Sequence, residues 1–280
     1  MQLAAWAAKI LPEPLKRALY RLGPLTRALR GLLNRAAPTG ITETTIAGGD
    51  LQGWRMALDL QQEKDYWLGS YETGLQTALR DLIQPGWTVY DVGANVGYIT
   101  LLLARRIGAS GRVFAFEALP QNQVRWQTNV ALNNLQARTH LFCGAVTDLS
   151  GQAAFLLGPS DDMGKAQGST GRALTYAESI LVPSITLDDF IYRDGNPPPQ
   201  AIKMDIEGGE VLALLGMRRT LKEVRPLILL ELHGSESARV AWEMLTPLGY
   251  SLHRMAAAYP QVRALQDLDW KAYLVARPPR

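Results

Sequence analysis

Two clusters of residues in this chain are of types and spacings that can do chemistry. In Val89-Tyr-Asp-Val-Gly-Ala-Asn-Val-Gly-Tyr98, Asp91 ends an apolar run and Gly93, Asn95 and Gly97 follow, while Glu117 closes the next apolar run, Val113-Phe-Ala-Phe-Glu. Such a glycine turn brings backbone N–H groups close to a ligand, and an acid ending the following strand can grip a ribose diol. Gly97 and Glu117 are twenty residues apart, about the separation expected of the ribose acid in a nucleotide-binding βαβ unit. The second cluster begins in Ile202-Lys-Met-Asp-Ile-Glu-Gly-Gly-Glu210, where Lys203, Asp205 and Glu207 take alternate positions at a strand end and share a side. Leu227-Ile-Leu-Leu-Glu-Leu-His233 repeats the pattern with Glu231 and His233. Charged groups on a buried strand are costly unless they pair or meet a ligand. Asp205, Glu207, Glu231 and His233 together are able to position and deprotonate a hydroxyl, with His233 or Asp205 as base and Lys203 and Glu207 as orienting partners.

The donor turn discriminates between cofactors. Asp91-Val-Gly-Ala-Asn-Val-Gly97 is not the dinucleotide pattern G-x-G-x-x-G. A pyrophosphate resting on the helix N-terminus would be repelled by an acid at position 91. A phosphate-free cofactor with a cationic amino-acid tail is favoured there, and S-adenosylmethionine has both that tail and a ribose diol. Asp148, in Cys143-Gly-Ala-Val-Thr-Asp, is placed either to approach an adenine amine or to make a turn before Gly151. Tyr66, Trp67 and Tyr71-Glu72 precede the core and are read as a cap on the cofactor or acceptor pocket, with Glu72 among the cofactor contacts. Oxygen-rich sets with one His also suit Mg²⁺, an option beside the metal-free reading. His140 and His253 lie inside strands and read as core or surface residues.

The elements that must position these groups alternate. Strands are expected at 88–92, 112–116, 139–143, 201–204, 227–232, 250–255 and 271–275, and helices near 97–107, 120–133, 209–221 and 236–247. Ala153–Leu157 reads as a hairpin arm. Strands alternating with helices of this length imply an α/β fold with a mostly parallel sheet covered on both faces, and each candidate acid falls at a strand's carboxyl end, where such sheets bind ligands. Ahead of them, 41–68 suggests short strands or a hairpin through Gly48-Gly49, and 71–84 a helix stopped at Pro85-Gly86. Residues 158–182, rich in Gly, Ser and Asp, read as a long acceptor-site loop. The expected organisation is an arm over 1–37, an N-terminal cap over 38–86 and a cofactor-binding domain over 87–280.

Composition narrows the classes. Of 280 residues 47% are hydrophobic and 20% charged, and one cysteine, Cys143, excludes an intrachain disulfide framework and a cysteine zinc site. Residues 1–37 carry seven bases and one acid, so the remainder of the chain is net −3. The basic pI of about 9.0 therefore reports the arm, which argues against nucleic-acid binding by the body. Leu15, Leu19, Leu22, Leu25, Leu29 and Leu32 lie at helical spacing among those bases, so the arm either packs on its own domain or lies on a membrane or partner. The rest reads as cytoplasmic.

With these residues laid out, the chain resembles the FkbM family of S-adenosylmethionine-dependent methyltransferases. The likeness runs from about Tyr66 to His233 and rests on Tyr71-Glu72, the 89–98 turn, Phe114-Ala-Phe-Glu-Ala-Leu-Pro-Gln-Asn122, Ser184-Ile-Thr-Leu-Asp-Asp-Phe190, the 202–210 run and Leu230-Glu-Leu-His233. It implies a class I methyltransferase fold, doubly wound and Rossmann-like, with seven strands of which the last is antiparallel. It also implies O-methylation of a sugar, polyketide or other small-molecule hydroxyl. Asp91, Gly93, Asn95 and Gly97 would then cradle the methionine part and Glu117 the ribose. Ala118 stands where the family usually has Pro, and Gly209 where it often has Ala; neither change removes a functional group. The rival readings are an NAD(P)-dependent oxidoreductase on a similar sheet and a non-catalytic, cofactor-binding or membrane-tethered module.

Overall fold

The computed structural model describes residues 39–158, 164–170 and 178–279; the basic arm over 1–37 lies outside them. The chain divides into two compact units. The first takes in described residues 39–73 with Ala131–Asn134. Its strands β1 (Ile41–Thr45) and β2 (Arg55–Asp59) form an antiparallel hairpin, followed by the short helix α1 (Lys64–Leu68). Asn133 joins this unit because its side-chain amide brackets β2, accepting from the Arg55 N–H at 3.0 Å and donating to the Arg55 carbonyl at 2.7 Å.

The second unit, Gly74–Val130 with Leu135 onward, contains a seven-stranded sheet. Its parallel strands are β3 (Thr88–Val92), β4 (Arg112–Glu117), β5 (Thr139–Cys143), β10 (Ala201–Met204) and β11 (Leu227–His233). Strand β13 (Lys271–Arg277) runs antiparallel between β11 and β12 (Ser251–Arg254). The chain moves outward from β3 through β4 to β5, then returns to lay β10 on the other side of β3. That reversal is the switch point beside which doubly wound sheets bind ligands. The topology is the class I methyltransferase arrangement, with the last strand antiparallel as expected.

Burial explains the strand pattern. β10 is buried throughout and β3 nearly so, as a central parallel strand covered on both faces must be. One face packs Tyr90, Phe114 and Phe116 around Phe190, with ring centroids 4.9–5.8 Å apart. Each such ring contributes about 1.5–3 kcal/mol on burial. Helices α2 (Thr73–Leu82), α3 (Tyr98–Ile107), α4 (Pro120–Ala131) and α8 (Ser235–Leu245) accompany the strands. Arg105 and Arg106 close the last turn of α3, where cations oppose the helix dipole favourably.

Two expectations need correction. The helix read over 209–221 is two helices, α6 (Glu210–Leu215) and α7 (Arg218–Glu223). The break falls at Gly216, where a Cβ would stand 2.1 Å from the Thr147 carbonyl oxygen. Asp188, in α5 (Leu187–Tyr192), then starts α7 afresh by accepting from the Arg219 and Thr220 N–H groups. The stretch read as an irregular loop over 158–182 contributes strands at both ends. β8 (Gly164–Ala166) and β9 (Glu178–Ile185) flank β7 (Gly151–Leu157), and with β6 (Ala145–Val146) they make a four-stranded sheet. The Gly, Ser and Asp content between them, and Pro183 within β9, masked the alternation that builds it. No helix among the described residues is long and apolar enough to cross a membrane.

Candidate active site

The donor turn is held by backbone hydrogen bonds and left-handed residues. Beyond β3 the N–H groups of Gly93 and Ala94 both donate to the Phe116 carbonyl at 3.0 Å, so the turn hangs from the neighbouring strand. Gly93, Asn95 and Gly97 have φ of +81°, +48° and +93°. At Gly93 glycine is required twice over, because a Cβ would also stand 2.0 Å from the Asp205 carbonyl oxygen. Asn95 tolerates its conformation as few other residues do, and its Oδ1 accepts from the Val96 N–H at 2.7 Å.

Glu117, at the end of β4, is buried and turned into this loop. One carboxylate oxygen accepts from the Asn95 N–H at 2.8 Å, the other from the Leu119 N–H at 2.9 Å and Asn122 Nδ2 at 3.5 Å. Burial pushes its carboxyl pKa up, and these donors pull against the shift. Asp91 lies wholly buried at the end of β3. Its Oδ2 accepts from Thr100 Oγ1 at 2.6 Å, and that hydroxyl accepts in turn from Trp126 Nε1 at 2.9 Å. Its Oδ1 lies 3.5 Å from Lys203 Nζ, an ion pair set by the register that places Lys203 beside Asp91 across β3 and β10. Burial raises the Asp91 pKa, with Lys203 and Thr100 opposing. Lys203 also donates to the Gly93 carbonyl at 2.9 Å. Asp91, read from the sequence as open to a cationic ligand, thus has a cation of the protein beside it, although its Oδ1 accepts no aligned hydrogen bond.

The second cluster gathers at the ends of β10 and β11. The Asp205 N–H donates to the Val92 carbonyl at 3.1 Å, which prolongs the sheet by one residue; the chain then turns through Glu207 at φ +53° and Gly208 at φ +96°. Asp205 and Glu207 are partly exposed. His233 is fully buried. Its Nδ1 lies 3.3 Å from Glu210 Oε1, and its Nε2 lies 3.0 Å from Glu231 Oε1 and 3.7 Å from Glu207 Oε2. The Nε2 contacts are ion-pair proximities without an aligned hydrogen bond. Burial alone would depress the histidine pKa, but Glu210, Glu231 and Asp205 overcome it and carry the pKa up to about 10. The surrounding carboxylates thus favour the protonated ring. Lys271 of β13 grips Glu231 Oε1 from the other side. Burial would raise the Glu231 pKa, but His233 and Lys271 together hold it below its ordinary value.

Ligand atoms of Asp205, Glu231 and His233 come within 4.8 Å of one another, which is close enough for a metal. Their chemistry fits one poorly. A hard dication such as Mg²⁺ wants oxygen ligands, and here it would have to displace the Lys271 ammonium and strip the proton from His233.

Asp148 lies on the exposed bend after β6. Glu72, at φ +44° and partly exposed, falls within the first unit. In that unit the rings of Tyr66 and Tyr71 meet edge to face at 4.6 Å. Residues that the sequence reading did not single out include Glu210, Ser237, Lys271, Thr100 and Asn122. Glu210 had a signal, being an acid that opens the apolar helix Glu210-Val-Leu-Ala-Leu-Leu215; Lys271 had none, because only the β11–β13 register brings it opposite His233. A cavity of about 460 Å³ lined by Trp87, Pro198, Arg225 and Arg277 lies at the amino ends of the strands, away from these groups.

Comparison with known proteins identifies the family. The family model described as the methyltransferase FkbM domain matches residues 91–263. The hexuronic acid methyltransferase AglP of Haloferax volcanii is 22% identical over 200 residues, covering 70% of this chain and 78% of its own length. Among solved structures, methyltransferase FkbM from Methylobacillus flagellatus KT is 18% identical, covering 76% of this chain and 52% of that one, with a TM-score of 0.44. Aeropyrum pernix fibrillarin, solved with natively bound S-adenosyl-L-methionine, is 13% identical over 73% of each chain, with a TM-score of 0.43. The family match takes in the donor turn, Glu117 and the whole of the second cluster up to His233, so the chain belongs to the FkbM family of S-adenosylmethionine-dependent methyltransferases.

Proposed function

We propose that this enzyme moves the methyl group of S-adenosylmethionine to a hydroxyl oxygen of a small metabolite or glycan, most simply a sugar hydroxyl. The observation that carries the reading is the close approach of the acid loop to the donor turn, with the Asp205 carbonyl against Gly93. The residue whose main chain meets the donor turn is thus one whose carboxylate is partly exposed and shares a cluster with Glu231 and His233. The similarity to a hexuronic acid methyltransferase supports a sugar as acceptor.

S-adenosylmethionine, when bound, supplies a methyl group on a positively charged sulfur that departs as a neutral thioether. Glu117 and the turn from Gly93 to Gly97, whose N–H groups are engaged within the protein, would line the ribose and methionine parts by shape, while Asp91 supports them indirectly through Thr100 and Lys203. The acceptor oxygen attacks in line, and its proton must leave at or after attack. Asp205 takes that proton in this reading. His233 already carries its own proton and serves, with Glu207, to orient the acceptor and the carboxylate. Lys271 and His233 balance the charge of Glu231, and the step in this reading calls on no metal.

The test is transfer of a labelled methyl from S-adenosylmethionine to a panel of sugars and hydroxylated metabolites, with the product located by mass spectrometry. Label on oxygen, abolished in Asp205→Asn while donor affinity persists, is the expected result. Label found on nitrogen or carbon, or full activity in Asp205→Asn, would overturn the assignment.

A further inference from the structure

Glu210 takes no part in the transfer step, yet it is fully buried and engaged from four directions. Its Oε1 accepts from the N–H groups of Ile206 at 3.0 Å and Gly208 at 3.3 Å. The same oxygen faces His233 Nδ1 at 3.3 Å, and Oε2 accepts from Ser237 Oγ at 3.3 Å. These partners belong to three parts of the site: the turn carrying Asp205 and Glu207, the end of β11, and the first turn of α8.

We propose that Glu210 is the positioning residue of this active site, whose carboxylate locks the 205–209 turn and keeps His233 an imidazolium, leaving Asp205 to receive the acceptor's proton. The proposal deepens the methyl-transfer reading above and rests on it for the role of Asp205.

The charges around the imidazole support it from every side. Glu231 faces it from its own strand, Glu207 and Asp205 from the turn, Glu210 from α6, and Lys271 from β13 by way of Glu231. With a neutral His233, the buried carboxylates of Glu210 and Glu231 would have only Lys271 to balance them. With an imidazolium, two carboxylates meet two cations, which is the state a buried cluster favours. The turn needs the same carboxylate for a separate reason. Glu207 and Gly208 both have positive φ, and the Ile206 and Gly208 N–H groups would lack their acceptor if Glu210 were withdrawn.

Ser237 extends the lock outward. Its Oγ lies 2.9 Å from Thr170 Oγ1, and the Thr170 N–H donates to the Gly208 carbonyl at 3.0 Å. The described segment 164–170, within the stretch expected to choose the acceptor, is therefore tied to the same turn. Lys165 strengthens the tie by donating from Nζ to the Thr170 carbonyl at 3.1 Å.

The experiment uses the full-length enzyme with ¹⁵N-labelled histidine. There are three histidines, His140, His233 and His253, and a His233→Asn variant assigns the signal. In the wild type the His233 ring should stay protonated to well above pH 8. In Glu210→Gln, which is nearly isosteric and can still accept from the turn, its deprotonation midpoint should fall by at least one pH unit. The methyl-transfer kcat should drop at least thirtyfold, with donor Kd changed less than threefold, and Glu210→Asp should restore part of the loss. An unmoved midpoint in Glu210→Gln, or unchanged kcat, overturns the proposal. Should Glu210→Gln not fold, the wild-type titration decides alone, since a His233 midpoint below pH 8 also overturns it. A wild type that methylates no hydroxyl would instead count against the functional reading, and the histidine signals would still show whether Glu210 holds the charge.

Discussion

The donor turn and the strand-end cluster share the carboxyl end of one sheet and are built from opposite materials. The turn is mostly main chain: its N–H groups point to Phe116 and Glu117, and nearly everything that shapes it lies between Thr88 and Trp126. The cluster is mostly side chain, drawn from β10, α6, β11, α8 and β13. A site made of backbone answers most sharply to added volume and less sharply to side-chain charge. A site made of charged side chains inverts both sensitivities. The two halves meet at Gly93, which presses on Asp205, and through Lys203, which pairs with Asp91 while donating to Gly93.

Substitutions at that junction should have the largest effects. Lys203→Met leaves the Asp91 carboxylate buried without its cation, and breaking such a pair costs about 3–5 kcal/mol. Chemical denaturation should show that loss, and Asp91→Leu added to Lys203→Met should recover much of it. Gly93→Ala should destabilise the fold by about 3 kcal/mol, combining a strained φ with a backbone collision, and donor binding by calorimetry should become undetectable. Equal donor affinity in the alanine variant would show that the turn is not the backbone-built element described here.

Smaller changes probe each half alone. Glu117→Gln leaves one carbonyl oxygen where two carboxylate oxygens accept from the Asn95 and Leu119 N–H groups, so one buried N–H loses its acceptor; donor affinity should fall by about 1.5–3 kcal/mol, and the melting temperature should fall with it. The cluster should answer to pH instead. His233 has a folded pKa of about 10, above its unfolded value of 6.5. The stability it contributes is therefore fully present below pH 6.5 and is lost as pH rises through 10, at no more than about 1.4 kcal/mol per pH unit. Urea midpoints of wild type and His233→Asn, compared between pH 6 and 10, should converge on the alkaline side. A constant gap would remove the charged histidine from the account.

The contrast in materials also accounts for what could be read beforehand. A turn whose partners are local in sequence leaves a local pattern, so Asp91, Gly93, Asn95, Gly97 and Glu117 were legible together, as was the alternation of strands that carries them. Strand-end acids were legible individually at Asp205, Glu207, Glu231 and His233, because charge at the end of an apolar run is conspicuous. Their wiring was not. Glu210 resembles an ordinary first-turn acid, and Lys271 is a lysine on a late strand until the register sets it beside Glu231. The four-stranded sheet was hidden for a similar reason: β9 gains its meaning from β7, nearly thirty residues earlier. The protonation state of His233 was the least legible, since it depends on three carboxylates at once.

The antiparallel strand β13 imposes an order on assembly. The donor turn can take shape once β3 and β4 are side by side, from fewer than forty consecutive residues. The charge quartet cannot, because it draws on the chain from Glu210 through His233 to Lys271. Until β13 slots between β11 and β12, Glu231 has only His233 to balance it. The half of the molecule assigned to the donor is therefore drawn mostly from one stretch of chain, and the half assigned to the transfer is complete only where β13 pairs with β11.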